Sequence, residues 1–159
     1  MQEIAFIICC TKKKIWNVNP NSPKKVKAKD AYVGNLFKLA KELVIKLNAP
    51  WWIISAKYGI LAPDEEIENY NMHIKQSKLT PEIIKKQLIE KGIVNYKKIV
   101  ILAGTDYCKL IEKVAKDLGI HVETPLKGLP LGKMLAKLKE MISTIDESSK
   151  YKKLTEFLF

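Results

Sequence analysis

From Ser55 to Ile74 the chain reads SAKYGILAPDEEIENYNMHI, which gathers a lysine, two tyrosines, several acids, two asparagines and a histidine around Gly59 and Pro63. A second cluster, CCTKKK, sets Cys9 and Cys10 beside Thr11 and the lysines Lys12, Lys13 and Lys14. Lysine binds phosphate as a point charge, and with a depressed pKa it acts as nucleophile or acid. The same trio reads equally well as a solvated loop. Two further segments join glycine to polar groups: AGTDY, from Ala103 to Tyr107, and TPLKGLPLG, from Thr124 to Gly132. Gly104 lets the backbone turn from strand to helix and bring amides close to an anion. GLPLG, from Gly128, either cradles a phosphate or is a tight turn with Pro130 opening a helix. No GxGxxG or GxxxxGK[ST] spacing occurs, which disfavours dinucleotide and P-loop sites.

Plainer roles compete for several of these residues. Gly59 suits a tight turn with positive φ, Pro63 stiffens the return, and Asp106 caps a helix. His73, between Met72 and Ile74, reads as a partly buried histidine more readily than as a base. Asp64, Glu65 and Glu66 also fit a helix N-terminus, and Trp51 and Trp52 fit core positions on opposite faces of a sheet.

Composition bounds the remaining choices. A chain of 159 residues, 47% hydrophobic and 28% charged, fits one soluble domain with a real core. No apolar run approaches the roughly 18 residues of a membrane span. The N-terminus places its apolar run before the lysines, the reverse of a secretory signal, so a cytoplasmic protein without a membrane partner is expected. Three cysteines, two of them adjacent, suit no disulfide framework, and without CxxC or HxxxH spacing neither a metal nor a cofactor is expected. The net charge is +11, and all 28 basic residues are lysine. Lysine lacks the planar fork that reads guanine edges, so this charge argues for attraction to polyanions rather than base-specific readout. A lysine-rich hyperthermophile surface is the other reading.

The elements that must position these groups alternate between strand and helix. Glu3 to Cys10, Trp51 to Ala56, Lys98 to Ala103 and Ile120 to Glu123 read as strands, the first three apolar throughout. Thr11 to Asp30 is too long for a bare connection. Helices are expected from Ala31 to Asn48, from Thr80 (N-cap) and Pro81 to Gly92, from Thr105 or Asp106 to Gly119, and from Pro130 to about Ile145. Strands apolar on both faces and separated by helices imply a three-layer α/β/α domain over residues 1–147, with a mainly parallel sheet of at least four strands. Residues 148–159 are expected to form a helical tail docking Leu154, Phe157 and Leu158 on it. Ligands of such folds sit outside the carboxyl ends of the strands. The chemistry-bearing segments all follow strands and should meet at that edge.

The string from Ser55 to Tyr70 closely resembles the signature SAKYGLL-x-P-x-x-x-I-x-x-Y of an uncharacterised prokaryotic domain family. That family opens with a strand, Ser/Cys-Cys and several lysines, continues with a strand ending in AG-x-x-Y, and closes with P-L-x-G-L-x-I-G. ICCTKKK, LAGTDY and TPLKGLPLG match in order, so the resemblance runs from Ile4 to about Leu138. More distantly, the order is similar to the uracil-DNA-glycosylase-like central domain of archaeosine synthase, a tRNA-modifying relative of tRNA-guanine transglycosylase. Cys10, the lysine cluster, Ser55, Gly59, Pro63, Glu66 and Tyr70 are shared with it. The K-P-Y-x-x-S-x-x-H segment of that domain is absent, since IWNVNPNSP follows Lys14.

The resemblance implies a uracil-DNA-glycosylase-like fold and an enzyme acting on a nucleobase or nucleotide, at an N-glycosidic bond or modified base in tRNA or DNA. In such a site Asp64 or Glu66 orients water or the nucleophile, and Lys12 or Lys14 stabilises phosphate or developing charge. Tyr58 or Tyr70 stacks on the base. The expected catalytic groups are therefore Lys12, Asp64 and Glu66. Cys10, Thr11, Lys14, Ser55, Lys57, Tyr58, Gly59, Tyr70, Gly104, Thr105, Tyr107 and Gly128 are expected to bind the ligand. A non-catalytic module for single-stranded RNA or DNA is the alternative, and a small-molecule nucleotide hydrolase or transferase the third reading.

Overall fold

The computed structural model describes residues 3–148. Its first half runs β1 (Ile4–Cys9), a helical turn α1 (Ile15–Val18), β2 (Lys25–Lys27), α2 (Ala28–Ala31), α3 (Asn35–Lys46) and β3 (Trp51–Ser55). The second half runs β4 (Gly59–Leu61), β5 (Glu66–Glu68), α4 (Pro81–Glu90), β6 (Lys98–Leu102), α5 (Thr105–Asp117), β7 (His121–Glu123) and α6 (Leu131–Ser148).

β1 is apolar at every position because it is the central strand of a five-stranded sheet ordered β4-β3-β1-β6-β7. β3, β1, β6 and β7 are parallel, and β4 alone runs antiparallel, beside β3. Alternation along β1 sends Phe6 and Ile8 to one face and Ala5, Ile7 and Cys9 to the other. Phe37, Leu43 and Val44 of α3, with Leu138 and Met141 of α6, cover the first face. Ile84 and Leu88 of α4, with Ile111 and Val114 of α5, cover the second. The α/β class with a mainly parallel sheet is therefore as expected, and Phe6, Ile8, Ile53, Ile54, Val100 and Leu102 are all fully buried. Trp51 and Trp52 pack on opposite faces, each half-buried.

Local signals act as their chemistry dictates. The Thr80 hydroxyl caps α4 by accepting from the Ile83 amide at 3.2 Å, Pro81 fills the first helical position, and Gly92 follows with φ 74°. Elsewhere the structure corrects the expected boundaries. Thr11 to Asp30 contains α1, β2 and the start of α2. The helix expected from Ala31 begins only at Asn35, because Tyr32 bridges Lys14 in extended conformation and the Gly34 amide donates to the Thr11 hydroxyl at 3.1 Å. A Cβ on Gly34 would lie 2.6 Å from that of Thr11, so glycine permits the approach. The chain after Ala56 does not leave the sheet as a loop but doubles back as β4. β5 then pairs with β2 in a separate two-stranded sheet that zips the two long connections together. The expected docking of Leu154, Phe157 and Leu158 lies outside the described residues. No helix among the described residues is long and apolar enough to cross a membrane.

Candidate functional site

From β1 the chain moves to β3 on one side and later crosses to β6 on the other, so the strand order reverses between β1 and β6. A crevice at the carboxyl ends of the strands is the usual consequence of such a reversal. Cys10 follows β1 there, and Tyr107 stands in the first turn of α5, after β6. The Cys10 Sγ lies 3.3 Å from the Tyr107 hydroxyl, a contact across 97 residues of sequence.

Beside this pair runs a chain of hydroxyls. Ser55, at the end of β3, is fully buried, and its Oγ accepts from the Lys57 amide (3.2 Å) and the Tyr58 amide (3.1 Å). With both lone pairs taken, its own proton goes to the Tyr70 hydroxyl at 2.8 Å. Tyr70 also meets the Tyr32 hydroxyl at 2.7 Å. The Lys14 ammonium lies 4.2 Å from the centroid of the Tyr70 ring. Lys14 is only 4% exposed, and its ammonium donates to the Lys12 carbonyl at 3.2 Å.

A cavity of about 330 Å³ opens over these groups, lined by Cys10, Thr11, Lys12, Lys14, Tyr70, Asn71, Met72, His73, Ile74, Gln76 and Tyr107. A second, of about 530 Å³, adjoins it through Lys12, Lys14, Tyr70 and Asn71, and adds Lys13, Asn17 and Asn69. Among the described residues, no aspartate or glutamate lines either one. Elsewhere lysines have acid partners, as in Lys46–Asp146 at 2.8 Å, Lys127–Glu112 at 2.9 Å and Lys91–Glu65. Among the described residues, no carboxylate lines the cleft beside its lysines.

That environment sets the protonation states. The Cys9 thiol favours the Cys10 anion most, followed by the Tyr107 hydroxyl, the Ala56 backbone amide and the Tyr70 hydroxyl. Burial opposes them, and the Cys10 thiol ends lowered to about 6. Cys9 moves the other way, well up, through the same contact with Cys10 and through burial. Desolvation lowers Lys14, against the attraction of the Cys10 charge. Tyr70 and Tyr107 are raised, chiefly by burial, and remain protonated donors.

Of the residues expected from the sequence, Cys10, Thr11, Lys12, Lys14, Tyr70 and Tyr107 come together in this cavity. The carboxylates do not join them. Asp64 is exposed and salt-bridged to Lys29 at 2.9 Å and Lys27 at 3.8 Å. Glu66 is an exposed residue of β5, across from Lys27 of β2. Neither lines the cavity, because the β2-β5 pairing holds this part of the loop against Lys27 of β2 and Lys29 of α2. Ser55 has no exposed surface to offer a ligand. Tyr58 clips β5, accepting from the Glu68 amide and donating to the Glu68 carbonyl, both at 3.3 Å. Its ring meets the Tyr70 ring edge-on, with centroids 5.5 Å apart. Lys14 takes one face of the Tyr70 ring. Lys57 is exposed, 5.2 Å above the Tyr58 ring. Gly59 takes φ 75° in the hairpin turn. Gly104 precedes α5, and Thr105 accepts from the Gly128 amide at 3.2 Å, which ties the TPLKGLPLG turn to the start of α5.

Tyr32 was missed because helical periodicity absorbed it, although Gly34 two residues later signals that the helix has not begun. Asn71 and His73 join the cavity from the stretch after β5, where no periodicity foretells the direction of a side chain.

The chain belongs to the family of unknown function DUF6884, whose model matches residues 4–140. It is similar to the "Uncharacterized protein YfjM" of Bacillus subtilis (strain 168), with 30% identity over 141 residues, 86% of this chain and 93% of that protein. Among solved structures it is similar to AF0587, a protein of unknown function, with a TM-score of 0.45 and 16% identity. That match covers 89% of this chain and spans 45% of the other.

Proposed function

We propose that this protein is an enzyme acting on a nucleobase or nucleotide, at an N-glycosidic bond or a modified base of tRNA or DNA, and that the cleft over Cys10 and Lys14 is its substrate site. The observation that carries this reading is a switch-point cleft lined by Lys12, Lys13 and Lys14 and, among the described residues, by no carboxylate. A buried ammonium without a carboxylate partner calls for an anionic ligand, and a phosphate fits three flexible point charges. Asn71 and Gln76 offer amide donors and acceptors for a heterocycle's edge. The similarity of the motifs to the uracil-DNA-glycosylase-like domain of archaeosine synthase supports the base chemistry and a shared fold. Asp64 and Glu66 have no part in the site so drawn.

Calorimetric titration with AMP, GMP and UMP, and with the matching nucleosides, tests the site. Nucleotides should bind and nucleosides should bind markedly more weakly; equal or absent binding sinks the reading. Incubation with tRNA and single-stranded DNA, followed by mass spectrometry of released or altered bases, tests the reaction. The second reading, a non-catalytic module for single-stranded nucleic acid, is favoured by the adjoining cavity, which adds Lys13, Asn17 and Asn69 to the lysine-lined surface. An oligonucleotide whose affinity falls steeply with salt, with no base altered, would select it.

A further inference from the structure

We infer that Cys10 is a nucleophile that bonds covalently to an electrophilic ring carbon of the heterocycle bound in this cleft. The inference rests on the reading of the cleft as a nucleobase or nucleotide site. Of the three cysteines, Cys9 (6% exposed) and Cys108 (fully buried) belong to the core, whereas Cys10 is half-buried and lines the cavity. It stands at the topological switch point, where a ligand meets the ends of β1 and β6. The groups facing it are the Cys9 thiol, the Tyr107 and Tyr70 hydroxyls and the Lys14 ammonium, with Lys12 and His73 along the cavity wall. Every one of them is neutral or cationic. Such surroundings favour a thiolate, which is the reactive form of cysteine.

Lys14 supplies the independent observation. Its side chain is buried, lines both cavities, spends one donor on a backbone carbonyl and has no carboxylate partner among the described residues. An ammonium held this way is at once the counter-charge of a thiolate and a ready acid, because burial makes its proton easier to give up.

The step balances without an outside reagent. The Cys10 thiolate donates an electron pair to the carbon of a polarised C=N bond and a C–S bond forms. The π pair moves to nitrogen, which takes the proton of Lys14. Tyr107, a protonated donor at 3.3 Å, holds the sulfur in line before attack. Reversal breaks the C–S bond, restores the thiolate and returns the proton to Lys14.

The test uses the intact protein and two alkylating probes, iodoacetamide and iodoacetate, between pH 5 and 9, with peptide mapping by mass spectrometry and glutathione as the reference thiol. The inference expects a single label on Cys10, with a half-maximal rate near pH 6. It also expects a preference for the anionic iodoacetate that glutathione lacks. Lys14→Gln should move the midpoint upward and remove that preference, and Tyr107→Phe should move the midpoint alone; circular dichroism confirms that each variant folds. A Cys10 that reacts no faster than glutathione at pH 6.5, or that labels after Cys9 or Cys108, overturns the inference. Wild-type calorimetry with GMP separates the two failures. Retained binding with an ordinary thiol removes only the nucleophile, whereas absent binding removes the reading of the cleft and the substrate class with it.

Discussion

Ser55 and Tyr70 meet hydroxyl to hydroxyl at 2.8 Å, which fastens the segment after β5 to the carboxyl end of β3. Ser55 is fully buried and satisfies two backbone amides as well. Ser55→Ala therefore strands the Lys57 and Tyr58 amides and one bond of Tyr70. Leaving buried groups unpaired costs about 1–3 kcal/mol. Chemical denaturation should show a loss in that range, with the cavity loop loosened. A loss below about 0.5 kcal/mol, the level of an ordinary surface change, would mean that water replaces the hydroxyl.

Gly59 and Gln87 form a second clasp. The Gln87 Oε1 accepts from the Ile60 amide at 2.7 Å, and its Nε2 donates to the Tyr58 carbonyl at 3.0 Å, straddling the turn between β3 and β4. A Cβ on Gly59 would fall 2.2 Å from that Oε1, at a φ of 75°. Gly59→Ala should destabilise by more than about 1 kcal/mol through backbone strain alone. Gln87→Ala should cost about 1–2 kcal/mol in unmade hydrogen bonds. Because the new methyl group displaces the glutamine, the double variant should lose less than the sum of the two, which a double-mutant cycle would measure. Additive losses would place Gln87 away from the turn in solution.

Asp64→Ala is a test of position. Its carboxylate, held below the usual range by Lys29 and then Lys27, is exposed and lies outside the cleft. Melting temperature and nucleotide affinity should both stay near wild type. A loss of affinity with stability intact would return Asp64 to the catalytic role its sequence motif had implied.

Much of this was legible in the sequence, for a physical reason. β1, β3 and β6 are apolar at consecutive positions, which only a strand covered on both faces tolerates, and Thr80-Pro81 and Gly92 are local signals that act within one helical turn. Those features fix the sheet, and with it the edge where Cys10, Lys14, Tyr70 and Tyr107 emerge. The direction of loop side chains was not legible. Asp64 meets Lys29 and Lys27, and Glu66 lies across from Lys27, because β5 pairs with a three-residue strand 41 positions earlier, from Lys25 to Glu66 in sequence, and no periodicity announces so short a pairing. Tyr32 reaches Tyr70 for a similar reason, through an isolated bridge to Lys14.

Stability should follow pH through Cys10. Its folded thiol is lowered to about 6 from an ordinary 9.0. A depressed folded value means that the anion stabilises the fold, fully above the ordinary value, and that this contribution is lost as pH falls toward 6. Cys9 and Cys108, both raised, act in the opposite sense and only toward alkaline pH, with Cys108 pushed up to about 12. Between pH 6 and 8.5 the melting temperature of wild type relative to Cys10→Ser should therefore climb with pH. A flat difference across that interval would show that Cys10 keeps an ordinary thiol.

Lys14 sets stability against function. Desolvation lowers its pKa, so the fold disfavours its charge, and the disadvantage is fully present below the folded pKa. Lys14→Met keeps the length and apolar stem, still covers the Tyr70 ring, and removes a buried ammonium that no carboxylate among the described residues compensates. At pH 5, where Cys10 is a neutral thiol and gives the ammonium no counter-charge, removing the cost of burying that charge should leave the fold as stable or more so, and a gain of about 1 kcal/mol raises the melting temperature of a chain this size by about 2–4 °C. The same variant should lose nucleotide binding and the low-pH reactivity of Cys10, since both depend on that cation. Residues kept at a cost in stability mark functional sites. A Lys14→Met protein that melts earlier yet binds GMP as before would make Lys14 a clamp between the Lys12 carbonyl and the Tyr70 ring, and the cleft would lose its anion-binding centre.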